Sequence, residues 1–348
     1  MKRWYIDKGP DSDVVASSRV RLARNFEAYP FPSRSSVEQQ RTIIGETIEA
    51  LTGEDTEFKE GFNYVDFKQL DETEKLVYVE KRLVSKELAE SEREVGLIIS
   101  NDEQISIMIN EEDHLRIQCL AAGMQLEKAF EICNYIDNLF SRKINFAFSD
   151  IFGYLTSCPT NTGTGIRASL MLHLPALTMT GHIRSMLESC GKLGLAVRGL
   201  YGENTEPHGN MYQLSNQITL GRSEQDIVMS IKTIALQIIE QERVLRGEIL
   251  RRNGLQLEDK IMRSFGTLKY ARSLSSDEAL QRLSDVRLGI NADLITDLDE
   301  TDVNEMMLQI QPGNLRQYSG RQLKKDEMEF VRASYIRSHI ANKGIKSE

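Results

Sequence analysis

The chain has 348 residues, 40% of them hydrophobic and 27% charged, so it has the composition of a folded protein and enough length for two domains. A net charge of -9 argues against a general nucleic-acid binder, because phosphate contacts need a basic surface, and any basic site must therefore be local. Four cysteines without a C-x-x-C pair, and the absence of any apolar run of about 18 residues, predict a soluble cytoplasmic protein with reduced thiols and no membrane segment.

The first predicted element is a strand that carries arginines. Residues 17–25 read S-S-R-V-R-L-A-R-N, where arginine alternates with apolar residues. Alternation places Arg19 and Arg21 on one face of this strand. Two apolar runs at 95–99 and 105–109 then predict a hairpin of a buried sheet.

The following segments predict a sheet backed by helices. Further strands are expected at 115–120, 170–174, 195–197 and 211–214, and helices at 126–140 and 182–193. Ser223 is the expected N-cap of a long helix whose apolar stripe includes Ile227, Ile238 and Val244, and this helix is expected to close the first domain.

A change of pattern near Asn253 marks the expected domain boundary. Beyond it the sequence shows only short helical segments, at 258–265, 277–288, 302–310 and 325–339. We therefore predict a larger domain over 1–252 and a small helical domain over 253–348.

An acidic segment, N-E-E-D-H-L-R at 110–116, follows the second strand of the predicted hairpin. A solvated turn is the ordinary interpretation of three adjacent carboxylates. Its position between two apolar strands also allows the lip of a pocket. There, carboxylates could hold a guanidinium through its N–H donors, and one could act as a base.

A second polar segment, C-P-T-N-T-G-T-G-I-R-A-S at 158–169, leads into a predicted strand. It is either a tight turn or a loop whose backbone N–H groups and Arg167 bind phosphate oxygens. The segment is not a P-loop, because no lysine stands at the required place, and the motifs of ordinary protein kinases are missing. A third segment, at 197–209, is either a surface connection or a closing loop in which Glu203 or Glu206 completes a site.

The order S-S-R-V-R, N-E-E-D-H-x-R, C-P-T-N-x-G-T-G-x-R-A-S and G-E-x-x-E resembles the phosphagen (guanidino) kinases over roughly residues 13–252. This resemblance implies an α+β fold, with a largely antiparallel catalytic sheet flanked by helices and followed by the small C-terminal helical domain. It also implies that arginines hold the phosphates of ATP. Mg²⁺ would be held mainly by those phosphates, with no metal ligand from the protein.

The resemblance assigns roles to individual positions. Glu112 would bind the guanidinium, Cys158 would be the reactive thiol beside the substrate, and the loop carboxylate would be Glu203, with Glu206 as the alternative. The positions implied to contact ATP and its phosphates are Ser17, Ser18, Arg19, Val20, Arg21, Arg82, Arg116, Arg167, Ala168, Ser169, Leu170, Met171, Arg198, Gly199, Leu200, Tyr201, Gly202 and Glu203.

Within this superfamily the chain resembles the bacterial protein-arginine kinases of the McsB type. Small-molecule arginine and creatine kinases have an N-terminal helical domain before the S-x-R-V-R strand, whereas this strand begins early here, so we expect an open site that accepts a protein. L-x-S-C-P-T-N at 155–161 and H-L-P-A-L at 173–177 are similar to this subgroup. The expected function is transfer of the ATP γ-phosphoryl group to arginine side chains of proteins.

The resemblance further implies a role in stress response and protein quality control. Expected partners are a zinc-binding activator protein, a heat-shock repressor as a substrate and a Clp-type protease downstream, with a possible homodimer. Two alternatives stay open: a small-molecule arginine kinase, and a non-catalytic adaptor that binds arginine or phosphoarginine.

Some positions depart from the family pattern. Tyr201 replaces a phosphate-binding arginine, and Met171 and Arg82 replace histidines that contact the base. In the C-terminal domain, the family's R-D-x-x-R-A phosphoarginine pocket is degenerate. The corresponding residues are Met328, Glu329, Arg332 and Ala333. We therefore expect weakened or lost feedback by phosphoarginine, unless Arg332 and Arg337 suffice.

Overall fold

The computed structural model describes residues 3–53, 61–199 and 208–344. The strands assigned in this part of the chain are β1 (Val15–Arg24), β2 (Phe62–Asp66), β3 (Gly96–Ser100), β4 (Ile105–Ile109), β5 (Leu115–Ala122), β6 (Phe148–Ser149), β7 (Gly153–Tyr154), β8 (Ile166–His173), β9 (Leu195–Gly199) and β10 (Met211–Asn216). The helices are α1 (Val37–Thr52), α2 (Glu72–Glu80), α3 (Lys86–Ala89), α4 (Leu126–Ser141), α5 (Pro175–Met179), α6 (Ile183–Lys192), α7 (Glu224–Tyr270), α8 (Ser276–Asn291), α9 (Glu300–Gln309), α10 (Pro312–Ser319) and α11 (Lys325–Gly344). None of the described helices has both the length and the apolar character needed to cross a membrane.

Eight strands form one sheet in the order β2-β3-β4-β5-β1-β8-β10-β9. Every neighbouring pair in it is antiparallel. β3 and β4 pair as the hairpin predicted from the two apolar runs. The prediction of an α+β fold with a largely antiparallel sheet flanked by helices is confirmed.

One face of the sheet is covered by helices. The buried side chains of α4 recur at helical spacing, and together with side chains of α1, α6 and α7 they join the core under β1, β5 and β8. Val20 and Leu22 of β1 point into this core and are buried. Because successive side chains of a strand point to opposite faces, Arg19 and Arg21 lie on the other face.

The long helix α7 begins as predicted and contains a kink. Ser223 Oγ accepts a hydrogen bond from the N–H of Asp226 at 3.1 Å, which caps the helix. Helical structure continues to Tyr270, but two helices join across a kink at Asn253 (φ -134°, ψ 33°), which is the position where the sequence pattern changes. Val244 is 51% exposed and is not part of the apolar stripe. With 3.6 residues per turn, a position six residues beyond Ile238 lies on the far side of the helix.

A second hydrophobic core lies in the C-terminal part of the chain. It joins the last turns of α7 to α8, α9 and α11 and includes Ile261, Leu283, Met306 and Ile336. The region is helical, as expected. A domain boundary at 252/253 stays a prediction, which the irregular backbone of α7 and the separate second core support.

Arg24 is a buried cation at the end of β1. Its Nε donates to Asp137 Oδ1 at 3.0 Å, and its Nη2 donates to Asp137 Oδ2 at 2.8 Å. Its Nη1 donates to the carbonyl of Thr164 at 3.0 Å, and the ring of Tyr154 lies 3.5 Å from its Cζ. The guanidinium therefore ties α4 to the loop that precedes β8.

We expect Asp137→Asn to lower the free energy of unfolding by about 3–5 kcal/mol, because the amide leaves buried Arg24 without a counter-charge. Urea denaturation followed by circular dichroism measures this loss. The matched control is Glu127→Gln in the same helix, where the exposed Glu127–Lys232 pair at 2.6 Å contributes under about 1 kcal/mol. Equal losses in the two variants would contradict a structural role for the Arg24–Asp137 pair.

Candidate active site

The register of the sheet brings arginines from separate motifs to one face. Arg21 of β1 lies directly opposite Arg167 of β8, and Ala23 lies opposite Arg116 of β5. Residues that are directly opposite in an antiparallel pair project to the same side of the sheet. Arg19 and Arg21, which share one face of β1 as expected, therefore also share that face of the sheet with Arg116 and Arg167.

These side chains line a polar cleft of about 340 Å³. The lining residues are Arg21, Ala23, Glu112, Arg116, Cys158, Thr160, Asn161, Gly165, Arg167, Arg198, Gln213 and Ser215. Arg19 lies in the adjoining narrow pocket, where its Nη2 donates to Gln213 Oε1 at 3.1 Å. Three motifs far apart in sequence, together with Arg198 of β9, thus meet at one place.

The arginines of this cleft are held close to one another in a partly desolvated place. Burial, followed by the charges of Arg82, Arg116 and Arg167, lowers the pKa of Arg19 to about 9. Burial and the neighbouring arginines also lower the pKa of Arg21, whose Nε is buried without a hydrogen-bond acceptor in the described part of the chain. Like charges at this spacing repel one another, and a bound polyanion would relieve the repulsion.

The acidic turn between β4 and β5 provides two carboxylates with different surroundings. Glu111 Oε1 accepts from Arg116 Nη1 at 2.9 Å and from Ser85 Oγ at 2.5 Å, and only 2% of its side chain is exposed. Glu112 Oε2 accepts from Arg116 Nη2 at 3.0 Å, and 41% of its side chain is exposed. Partial burial raises the pKa of Glu112 against the opposing effect of Arg116. Glu111 is fixed, whereas Glu112 lies at the rim.

The rest of the acidic turn is anchored to β1. Asp113 Oδ1 accepts from Asn25 Nδ2 and from the N–H of Ser157, both at 2.7 Å. Asn25 Oδ1 accepts from the N–H of His114 at 2.9 Å, and His114 Nδ1 accepts from the N–H of Phe26 at 3.0 Å. Burial lowers the pKa of His114 to about 4, so this imidazole is a neutral scaffold.

The loop before β8 forms the opposite wall. Cys158 is half-buried, with its Sγ 3.0 Å from Thr160 Oγ1. Gly165 has a φ of +66°, and a Cβ there would come within 2.6 Å of both the carbonyl oxygen of Ala23 and Nη1 of Arg24. Glycine is therefore required for this loop to lie against β1.

Not every position carried over from the family pattern reaches the cleft. The side chains of Val20, Ala168 and Leu170 are buried in the core on the far side of their strands, although Leu170 also borders the narrow pocket around Arg19. Ser18 Oγ donates to the carbonyl of Gly123 and accepts from the N–H of Gln125, which makes it a structural residue. Consecutive strand residues alternate between faces, so only every second one can line the cleft.

The remaining positions divide into three groups. Ser17, Arg82, Ser169 and Met171 border the narrow pocket around Arg19. Gly199 ends β9 opposite Tyr212. The others lie outside the described residues: Leu200, Tyr201, Gly202, Glu203 and Glu206.

Sequence reasoning missed Gln213 and Ser215, which β10 places on the cleft. Their signal was polar residues at alternate positions of a strand that is otherwise apolar. It also missed Glu111 as the residue that fixes Arg116, because the sequence does not show which of two adjacent glutamates in a turn is buried.

The positions of the degenerate phosphoarginine pocket lie in α11. Arg332 is buried and donates through Nε to the carbonyl of Ile310 at 3.2 Å and through Nη1 to the carbonyl of Leu274 at 2.9 Å. Glu329 Oε2 accepts from Ser273 Oγ at 3.1 Å, Met328 is half-buried and Ala333 is buried. Arg337 Nη1 donates to the carbonyl of Ala271. Both arginines therefore already bind backbone carbonyls.

Two family models match the chain. Residues 43–245 match the ATP:guanido phosphotransferase C-terminal catalytic domain, and residues 254–348 match the protein-arginine kinase McsB C-terminal domain. The Protein-arginine kinase of Brevibacillus brevis is 46% identical over 337 residues, covering 97% of this chain and 94% of the relative. The Protein-arginine kinase of Bacillus subtilis is 45% identical over 350 aligned positions, covering 100% and 96%.

Solved structures agree on the fold. A lombricine kinase crystal structure has a TM-score of 0.61 at 22% identity and covers 68% of each chain. The duplicated taurocyamine kinase of Schistosoma mansoni, solved with bound transition state analog components, has a TM-score of 0.60 at 26% identity over 72% of this chain and 37% of that one. The chain belongs to the ATP:guanido phosphotransferase family and, within it, to the bacterial protein-arginine kinases.

Proposed function

We propose that this protein transfers the γ-phosphoryl group of ATP to the guanidinium of arginine side chains in other proteins. The observation that carries the proposal is that Arg21, Arg116 and Arg167 share one cleft with Glu112. Such a site offers cations for a polyphosphate and a carboxylate for a guanidinium. The names of the relatives give the same reaction class and a protein acceptor.

The arginine cluster fits the phosphate donor. Planar guanidinium forks neutralise and align several phosphate oxygens at once, and clustered arginines without a bound anion repel one another. Arg21 and Arg167, directly opposite in the ladder, would hold the phosphates from one wall, and Arg198 would reach them from β9. The Mg²⁺ ion that accompanies ATP would be held through the phosphates and would neutralise their charge.

Glu112 fits the acceptor. In the proposed step it orients the substrate guanidinium and takes one of its protons as the nitrogen attacks. An N–P bond forms, the bond from the γ-phosphorus to the bridging oxygen breaks, and its electron pair leaves with ADP. Glu203, or alternatively Glu206, is proposed as the second carboxylate, and Cys158 lies beside the same cleft.

The cellular setting is a proposal from the family. We place the protein in the cytoplasm, acting on proteins with exposed arginines in stress response and quality control. A zinc-binding activator, a heat-shock repressor substrate, a Clp-type protease and a homodimer are the partners to test. The small-molecule arginine kinase remains the second candidate, and the adaptor the third.

The deciding experiment is intact-mass measurement of a folded acceptor protein incubated with ATP, Mg²⁺ and this protein. We expect the acceptor to gain phosphoryl groups that acid removes, because N–P bonds are acid-labile whereas phosphate esters are not. The matched acceptor has its exposed arginines replaced by lysine, which keeps the charge, and should gain none. Phosphorylation of free arginine without phosphorylation of the protein would favour the second candidate, and binding without transfer would favour the adaptor.

Glu112→Gln should lower kcat by about 10²–10⁴-fold while leaving ATP affinity nearly unchanged, because the amide can neither accept the proton nor pair with the guanidinium as a charge. Rates at saturating ATP and calorimetric ATP binding measure the two effects. The matched control is Glu87→Gln, which removes a nearby exposed carboxylate of α3 and should leave both unchanged. Full activity of Glu112→Gln would exclude Glu112 as the base.

The same role predicts a pH dependence. Glu112 acts as a base only when ionised, and burial raises its pKa. Activity should therefore fall with decreasing pH through a midpoint above the ordinary glutamate value of about 4.3.

We expect free phosphoarginine to stimulate the enzyme by well under the roughly fivefold of typical allosteric effectors. Arg332 already binds two backbone carbonyls, and methionine stands where the family pocket has its first arginine. Initial rates measured across a phosphoarginine titration test this. Strong, saturable stimulation would show that the degenerate pocket still binds its ligand.

A further inference from the structure

The H-L-P-A-L segment at 173–177 does not line the cleft. His173 ends β8 and is fully buried, and its Nε2 lies 2.8 Å from Oγ of Ser284 in α8. Burial, followed by the charges of Arg287 and Arg246, lowers the pKa of His173, so the ring is neutral. The segment therefore joins the sheet to the C-terminal helical region.

The rest of this segment is fixed to α7. The N–H groups of Ala176 and Leu177 donate to the two carboxylate oxygens of Glu242 at 3.0 Å and 2.9 Å. Glu242 is fully buried and also accepts from Arg246 Nε at 2.8 Å, and Arg246 Nη2 donates to the carbonyl of His173 at 3.1 Å. The backbone at His173 is therefore fixed by contacts that do not involve α8.

Ser284 also holds the start of β10. Asn210 Nδ2 donates to Ser284 Oγ at 2.8 Å, and the carbonyl of Asn210 accepts from the N–H of Leu174 at 2.9 Å. Gly209 (φ +62°) and Asn210 (φ +54°) both have a left-handed backbone, which glycine and asparagine tolerate best. A Cβ on Gly209 would come within 2.8 Å of the carbonyl oxygen of Leu280, so the chain lies directly against α8 as it turns into β10.

The strand β10 connects this turn to the cleft. From Asn210 to Gln213 the chain advances by about 10 Å. Gln213 lines the cleft, accepts from Arg19 Nη2 at 3.1 Å and lies directly opposite Arg198 of β9. Within the described part of the chain β9 is the last strand of the sheet and pairs only with β10. A displacement of β10 therefore moves Arg198 as well as Gln213.

We propose that Ser284 is a positioning residue for phosphoryl transfer. From the C-terminal region it fixes the start of β10, and through β10 it sets the places of Arg198 and Gln213 in the cleft. The inference rests on the proposed function, and Ser284 itself does not line the cleft. Arg167 lies at the other end of β8 from His173, about 20 Å away along the strand, so its place does not depend on Ser284. Loss of the Ser284 hydroxyl therefore disturbs alignment for transfer more than binding of the nucleotide.

The test is Ser284→Ala in the full chain, with three measurements: transfer to the acceptor protein, ADP affinity by calorimetry, and hydrogen exchange of the peptide that covers β10. We expect kcat to fall about tenfold, ADP affinity to change by less than about twofold, and amides 211–216 to exchange faster.

The matched control is Ser264→Ala. Ser264 is also a fully buried serine of the C-terminal region, but its hydroxyl donates to Asp285 Oδ2 at 2.8 Å within that region. We expect this control to lose stability in urea denaturation, as Ser284→Ala does, and to keep the kcat and the β10 exchange of the unaltered protein. Equal kcat and equal β10 exchange in the two variants would overturn the inference.

Asn210→Gly removes the same hydrogen bond from the other side and keeps the left-handed backbone, so it tests the contact if Ser284→Ala does not fold. If both residues act through this bond, the double variant loses no more kcat than Ser284→Ala alone, whereas additive losses contradict the inference. The proposed function fails separately, if the unaltered protein transfers no phosphoryl group to protein arginine. In that case unchanged β10 exchange in Ser284→Ala overturns the inference as well.

Discussion

The main constraint on this structure is the repulsion among like charges on one face of the sheet, which the rest of the fold must withstand. Arg21 and Arg167 are directly opposite each other in adjacent strands, and Arg116 lies opposite Ala23, two residues further along β1. Cross-strand pairs of like charge destabilise a sheet. The arrangement persists because the strands are held by the core on their other face. This repulsion destabilises the cluster when no anion is bound. A bound polyanion would remove the repulsion, and the free energy gained would favour binding.

The first motif, which carries two arginines of the site, also carries the residues that anchor the neighbouring segments. Arg24 points to the far side, binds Asp137 of α4 and holds the carbonyl of Thr164 in the loop before β8. Asn25 binds Asp113 and the backbone of His114 in the acidic turn. The first motif therefore positions the second and the third directly, which explains how loops distant in sequence reach one cleft with defined geometry.

Much of this could be predicted from the sequence. Alternation in residues 17–25 fixes which arginines share a face, and the apolar runs fix the β3–β4 hairpin. Register between strands could not be predicted, and it places Gln213 opposite Met171 and on the cleft. Nor does any local pattern indicate that Ser284 contacts Asn210, because that contact depends on how two distant regions dock.

The two glutamates of the acidic turn show how burial assigns different roles to identical side chains. Glu111 is enclosed and holds Arg116 through one nitrogen, whereas Glu112 is 41% exposed and holds the other nitrogen. The ligand proposed for Glu112 is itself a guanidinium. Binding of that ligand would exchange one arginine for another at the same carboxylate, with little net loss of ion pairing. The exchange would also release one nitrogen of Arg116 for a phosphate oxygen, while Glu111 keeps the side chain in place.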